Sequence, residues 1–148
     1  MMFGHQIAYR NVVSKYYHFR PEEMEQAFED FVSILEENGY HPTGDMFFSI
    51  LSDPTADEMT VEIFLPIEED SIRKDIDEQV FFRSYFSIKP MVMTRVTENF
   101  DEQSQVKYWE LVEYLQKNDL EQRTPIFVVY KKTQSGRTYV EMSVGVYI

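Results

Sequence analysis

An internal repeat constrains this chain more than any motif does, and repeats are sought first because they fix the architecture. Phe28–Ile50 reads FEDFVSILEENGYHPTGDMFFSI and Tyr108–Tyr130 reads YWELVEYLQKNDLEQRTPIFVVY. At an offset of 80, Phe31 meets Leu111, Val32 meets Val112, Leu35 meets Leu115, Asn38 meets Asn118 and Phe47 meets Phe127. One residue is lost in the next loop, so Val61–Ile67 falls on Val140–Val146. Identities are few, but the apolar spacing persists, and each half reads as strand, helix, strand, strand.

Local signals set the expected elements. Ile7–Val13 is rich in β-branched residues and suits a strand. Pro21 followed by Glu22 and Glu23 opens a helix, with acids at the positive end of its dipole. Met24, Phe28, Phe31, Val32 and Leu35 form its apolar stripe, and Asn38-Gly39 closes it. Met46–Leu51 and Met59–Pro66 follow as a hairpin across a polar loop containing Asp53-Pro54. The second half repeats this with a strand at Met91–Thr97, a helix at Asp101–Asn118 capped by Asp101, and strands at Pro125–Lys131 and Thr138–Ile148. Between them, Glu68–Gln79 reads as a charged linker or short helix and Val80–Ile88 as an extra strand. The expected fold class is α+β: duplicated β-α-β-β repeats in a mostly antiparallel sheet, helices on one face and a cleft on the other. Residues 1–148 then form one domain, with repeats at about 6–67 and 90–148 joined by 68–89.

Strand alternation separates two faces. Val140, Met142, Val144, Val146 and Ile148 point toward the helix, while Tyr139, Glu141, Ser143, Gly145 and Tyr147 point away. In the first repeat Val61, Ile63, Leu65 and Ile67 oppose Thr60, Glu62, Phe64 and Pro66. Each half thus sets one glutamate beside aromatic or small residues on the face without helices. A carboxylate with aromatic walls suits an organic cation, since ring faces add about 0.5–2 kcal/mol of cation–π attraction. The plainer alternative is a pair of solvated strand residues on an open sheet face.

The LEENG stretch Leu35–Gly39, the short apolar strand after it, the Asp53-Pro54 loop and the VEI and VEM strands at Val61 and Val140 together resemble the GyrI-like effector-binding domain family. The likeness runs from Gln6 to Ile148. It implies a central cavity between the repeats, where lipophilic cations or other small molecules meet aromatic walls and a carboxylate. The family's acidic position is best matched by Glu141, with Glu62 and Glu110 as alternatives. Tyr139, Tyr147, Phe64 and Tyr130 are the candidate aromatic contacts. The family's His-x-Gly-Pro-Tyr-like turn before the second helix is replaced here by Glu98-Asn99-Phe100-Asp101. Full-length regulators of this type carry a DNA-binding segment ahead of the domain; none fits before Ile7, so a stand-alone domain is expected. Some relatives are hydrolases, which would make Glu141 a general base with Tyr130 or Tyr147 as proton donor; a non-enzymatic binding module is the favoured expectation.

Other classes are excluded or demoted by composition. The chain carries 26 acidic and 14 basic residues among 148, a formal charge of −12, which disfavours nucleic acid and anionic membranes. A basic protein partner, met by the acidic helix surfaces in the manner of a DNA mimic, is the second expectation. With no cysteine, disulfides and zinc–thiolate sites are absent. His5, His18 and His41 have no metal-ligand spacing and no assignable carboxylate partner, so neither metal nor cofactor is expected. Trp109 is expected in the core against the sheet, and Lys131, Lys132 and Arg137 at a solvated hairpin tip. No leader and no ~20-residue apolar span is visible, so a cytoplasmic location is expected.

Overall fold

The computed structural model describes residues 1–53, 55–73, 76 and 79–148. Pro54 of the Asp53-Pro54 loop, and residues 74, 75, 77 and 78 of the charged linker, lie outside the described residues. The fold is α+β and antiparallel, and it divides into two compact units, Ala8–Phe86 and Met1–Ile7 with Ser87–Ile148. Among the described residues no helix is long and apolar enough to cross a membrane.

The Ala8–Phe86 unit takes up β1 (Met2–Phe19) at Ala8, then a 3-10 turn at Pro21–Glu23, α1 (Met24–Glu37), β2 (Phe47–Ile50) and β3 (Met59–Pro66). β3 is the central strand, antiparallel to β1 on one side and β2 on the other. β1 is longer than the Ile7–Val13 run predicts, because flanking polar residues continue the extended backbone past a kink at Asn11 (φ 54°), whose carbonyl accepts the Ile67 N–H. At the start of α1, the Glu23 carboxylate accepts the Arg20 main-chain N–H at 3.0 Å. At its end the Asn38 amide donates to the Ile34 carbonyl at 2.7 Å and Gly39 takes φ +83°, a conformation glycine adopts without a Cβ penalty. Phe31 and Leu35 are fully buried, each burial worth about 1.5–3 kcal/mol. Phe28 meets Phe48 at 5.9 Å and Phe31 meets Tyr17 at 6.3 Å. Since Phe48 lies opposite Ile63 and Tyr17 opposite Val61, the Val61–Ile63 row is the helix-facing one.

The other unit repeats the order. β4 (Phe81–Val96), which enters this unit at Ser87, is followed by α2 (Phe100–Lys117), β5 (Gln122–Lys132) and β6 (Thr138–Val146), with β6 central between β4 and β5. The two strands expected at Val80–Ile88 and Met91–Thr97 are one continuous strand through Pro90, since a proline removes a single donor from the ladder. The N-cap of α2 is Asn99 (φ 50°) rather than Asp101, which sits in the first turn. At the other end the Asn118 amide caps the Tyr114 carbonyl at 2.9 Å, as Asn38 does in α1. Leu111 and Leu115 are buried like Phe31 and Leu35. Trp109 is not a core anchor: it is 52% exposed on the outer face of α2. Ile148, expected on the helix-facing row of β6, lies beyond the strand and is fully exposed.

Candidate functional site

The two glutamates singled out by the repeat lie on the two central strands. Directly opposed residues in an antiparallel pair share a face, so the register fixes what surrounds each one. Glu62 lies opposite Tyr16 on β1 and Ser49 on β2, and Phe64 opposite Ser14 and Phe47. Glu141 lies opposite Arg95 on β4 and Val129 on β5, and Ser143 opposite Met93 and Phe127. Val12 pairs with Pro66 and Met91 with Gly145, so the offset along the central strands is 79 and Ser143 is the counterpart of Phe64.

Neither glutamate is on a solvated face. Glu62 is 6% and Glu141 5% exposed. The charge of each is met inside its own unit by an arginine of β4, a pairing that the sequence reading missed. Ser14 Oγ donates to Glu62 Oε2 at 2.6 Å, and Arg83 Nη1 reaches the same oxygen at 3.3 Å and Ser14 Oγ at 3.0 Å. Arg95 Nε donates to Glu141 Oε2 at 3.1 Å. Both guanidiniums also sit over rings, Arg83 5.7 Å from the centre of Phe64 and Arg95 5.8 Å from that of Tyr139. Charge-assisted bonds of this kind are the strong ones, and a buried carboxylate requires one.

Beyond the carboxylates the two units differ. In the first, the Phe64 ring stacks on Phe47 at 4.8 Å and packs on Phe86 at 4.9 Å, while Phe47 stacks in turn on Tyr9 at 5.2 Å. Tyr9 is anchored by its hydroxyl, which donates to Asp45 at 3.0 Å. This row is filled by its own rings. In the second, the Phe64 position holds Ser143, fully buried, and its hydroxyl is the buried side-chain polar atom without a hydrogen-bond partner among the described residues. Native structures rarely leave such a group unpaired, because the desolvation cost is about 1–3 kcal/mol.

The remaining candidates fall in different places. Tyr139, half-buried, lies under Arg95 as described. Tyr130 pairs with Val140, which puts it on the row pointing away from Glu141, and burial pushes its hydroxyl up to about 12. Tyr147 lies outside β6 and is 52% exposed. Neither tyrosine therefore shares the Glu141 row as a proton donor. Glu110 is on α2, paired with Lys107 at 3.2 Å. His5 feels Glu141, but burial outweighs it and, with Lys131 and Arg95 adding repulsion, holds the imidazole below the ordinary value of 6.5.

The expectation that the histidines lack carboxylate partners is overturned. His18 meets Glu58 at 2.8 Å, and Glu69 accepts both the His41 main-chain N–H at 2.9 Å and its ring at 2.7 Å. Among the described residues, His41, Glu68 and Glu69 bring three possible metal-ligating atoms within 4.8 Å of one another; the half-buried Glu69 is already held by His41. A cavity of about 300 Å³ opens at the turn between β4 and α2, lined by Arg95, Thr97, Glu98, Asn99, Gln103 and Lys107. It occupies the turn that departs from the GyrI-like pattern.

Solved structures share this fold at low identity. The EcmrR chain in an EcmrR–DNA complex matches with a TM-score of 0.75 and 15% identity, covering 96% of this chain. The present chain spans 55% of that one. The EcmrR C-terminal domain matches with a TM-score of 0.67 at 12% identity over 99% of both chains. A hydrolase from Listeria innocua matches with a TM-score of 0.62 at 13% identity, over 97% of this chain and 90% of that one. At such identities the likeness establishes the fold, which is that of the EcmrR C-terminal domain. No curated protein matches the chain. Residues 8–148 match the family described as "Domain of unknown function (DUF5085)", and the chain belongs to that family.

Proposed function

We propose that this protein is a non-enzymatic binding module of GyrI-like type for an amphipathic small molecule that can be cationic, held on the Glu141 row of the Ser87–Ile148 unit. One observation carries the reading: a buried carboxylate stands two residues from a buried serine hydroxyl that has no partner among the described residues, at the position the other repeat fills with Phe64. A row selected only for stability would repeat the ring. Glu141 supplies charge, Tyr139 an aromatic face and Ser143 a hydrogen bond; Glu62 and Phe64 are the filled counterparts. The fold shared with the C-terminal domain of EcmrR, a protein solved in complex with DNA, supports a regulator-type binding module.

Calorimetric titration with tetraphenylphosphonium tests it. Binding to the wild type, a matching rise in Tm and loss of both in Glu141→Gln are expected. No binding of this or other lipophilic cations would overturn the cationic form, and turnover lost in Glu141→Gln would overturn the non-enzymatic one.

A second reading, docking of a basic protein segment, is favoured by α2. Trp109 and Val106 are about half exposed on its outer face beside Glu102, Glu110 and Glu113, which are also exposed. A basic amphipathic partner helix would cover the apolar pair and meet the acids. A salt-sensitive blue shift of Trp109 emission on titrating such a peptide supports it; unchanged emission refutes it.

A further inference from the structure

We propose that Arg95 is a tethered occupant of the Glu141 site, so the ligands that fit it are planar guanidine- or amidine-type cations, which bind by replacing the arginine. The inference rests on the reading of Glu141 as the ligand-binding carboxylate. Arg95 already makes the contacts such a cation would make, a charge-assisted bond to Glu141 at 3.1 Å and a ring face on Tyr139 at 5.8 Å.

The burial of the two partners is unequal. The Glu141 side chain is 7% exposed and that of Arg95 53%. The carboxylate is fixed and cannot be left without a counter-charge, whereas the guanidinium is already half in water, which lowers the cost of its leaving. Among the described residues the Arg95 side chain makes one hydrogen bond, the one to Glu141.

The duplicate is built differently. Arg83 is tied to Glu62 and also to Ser14, which itself holds Glu62 at 2.6 Å, and the rings of Phe64 and Phe86 lie beneath it. Among the described residues the arginine is singly held only in the Ser87–Ile148 unit, where the Ser143 hydroxyl, two residues along the same row from Glu141, has no partner. A displaced Arg95 also has a destination. The cavity of about 300 Å³ that it lines offers the Glu98 carboxylate and the Asn99 and Gln103 amide oxygens as acceptors, while Lys107, a like charge, is engaged by Glu110.

Benzamidinium titrations of wild type, Arg95→Met and the double variant Arg95→Met/Glu141→Gln test this. If the site is free of its arginine one-tenth of the time, Arg95→Met binds ~tenfold tighter than the wild type. The double variant should lose binding. An equal or weaker affinity in Arg95→Met overturns the inference. Should Arg95→Met not fold, the Arg95 Nε–H resonance of the wild type decides: saturating benzamidinium must shift it, and an unmoved resonance overturns the inference. Wild-type binding with no gain in Arg95→Met leaves the binding-module reading standing and sinks this one. Binding only in Arg95→Met shows that the ligand does not replace the arginine and overturns this inference, as does binding in neither; the tetraphenylphosphonium titration then decides the binding-module reading.

Discussion

Ser14 and Ser143 are both fully buried on rows that face away from the helices, yet removing their hydroxyls should change stability in opposite directions. Ser143 Oγ has no hydrogen-bond partner among the described residues, so the folded state bears the desolvation cost of a hydroxyl that water satisfies in the unfolded chain, about 1–3 kcal/mol. Ser143→Ala removes that cost and leaves a void of one oxygen, worth a few tenths of a kcal/mol at about 24 cal/mol per Å³. The net gain is about 1–2 kcal/mol, or roughly 2–8 °C in Tm for a chain of this size. Ser14 Oγ instead donates to Glu62 at 2.6 Å and accepts from Arg83 at 3.0 Å. Ser14→Ala takes a charge-assisted bond from a buried carboxylate, a loss of about 1.5–3 kcal/mol. Urea unfolding of ligand-free protein measures both, with unchanged m-values confirming that the midpoint shifts report stability. A Ser143→Ala variant no more stable than wild type would refute the unpaired-hydroxyl reasoning, and with it the main support for a ligand on this row. In the stabilised variant, affinity for the ligand should fall, the usual cost of optimising a functional position for stability.

Phe64→Ala opens a cavity between Phe47 and Phe86 and should cost about 3–5 kcal/mol, read as a fall in Tm of roughly 6–20 °C. A fall under about 2 °C would mean that the ring stack is not packed as described. Gly145→Ala would put its Cβ 2.7 Å from Thr124 Cγ2 and 2.8 Å from Ile88 Cγ2. Thr124 is held by the Gly145 N–H at 2.8 Å, so overpacking of about 1–3 kcal/mol is expected; an unchanged Tm would show that the threonine yields freely. The histidines should titrate apart in NMR: Glu69 raises His41 above 6.5, while burial lowers His5 below it. The His41–Glu69 pair therefore stabilises the fold below pH 6.5 and its contribution is lost as pH rises through the His41 value. For His5 the unfolded chain binds the extra proton, so stability drops as pH falls from 6.5 toward the folded value. Glu69→Gln should return His41 toward 6.5, and Glu141→Gln should lower His5 further; coincident titration of both histidines near 6.5 would contradict the two environments.

Much of the fold was legible because the duplication repeats its spacing. β3 runs from Met59 to Pro66 as its alternation predicts, and Glu62 and Glu141 emerge as a pair because each holds the same place in its repeat, on the row opposite the helix-facing one. The repeat even held signals against two expectations. Trp109 aligns with Glu29 at the offset of 80, and both are exposed. Tyr130 aligns with Ile50, which lies opposite Val61 on the helix-facing row. What sequence could not supply was register between strands distant in the chain. Arg95 meets Glu141 across 46 residues and Arg83 meets Glu62 across 21, pairings fixed by where each loop lets the strands stop. That register changes the chemistry, because a carboxylate read as open to a cation already holds one.

Duplication also explains how such a row can persist. A buried hydroxyl without a partner is a defect when a domain has one core, since stability margins are only about 5–15 kcal/mol. Here the Phe64 stack with Phe47 and Phe86 contributes packing in one unit, so the Ser143 position of the other can depart from the ring without the chain losing both. Selection on stability alone favours a ring or an alanine at residue 143; a serine beside Glu141 is the substitution expected where a ligand completes the row.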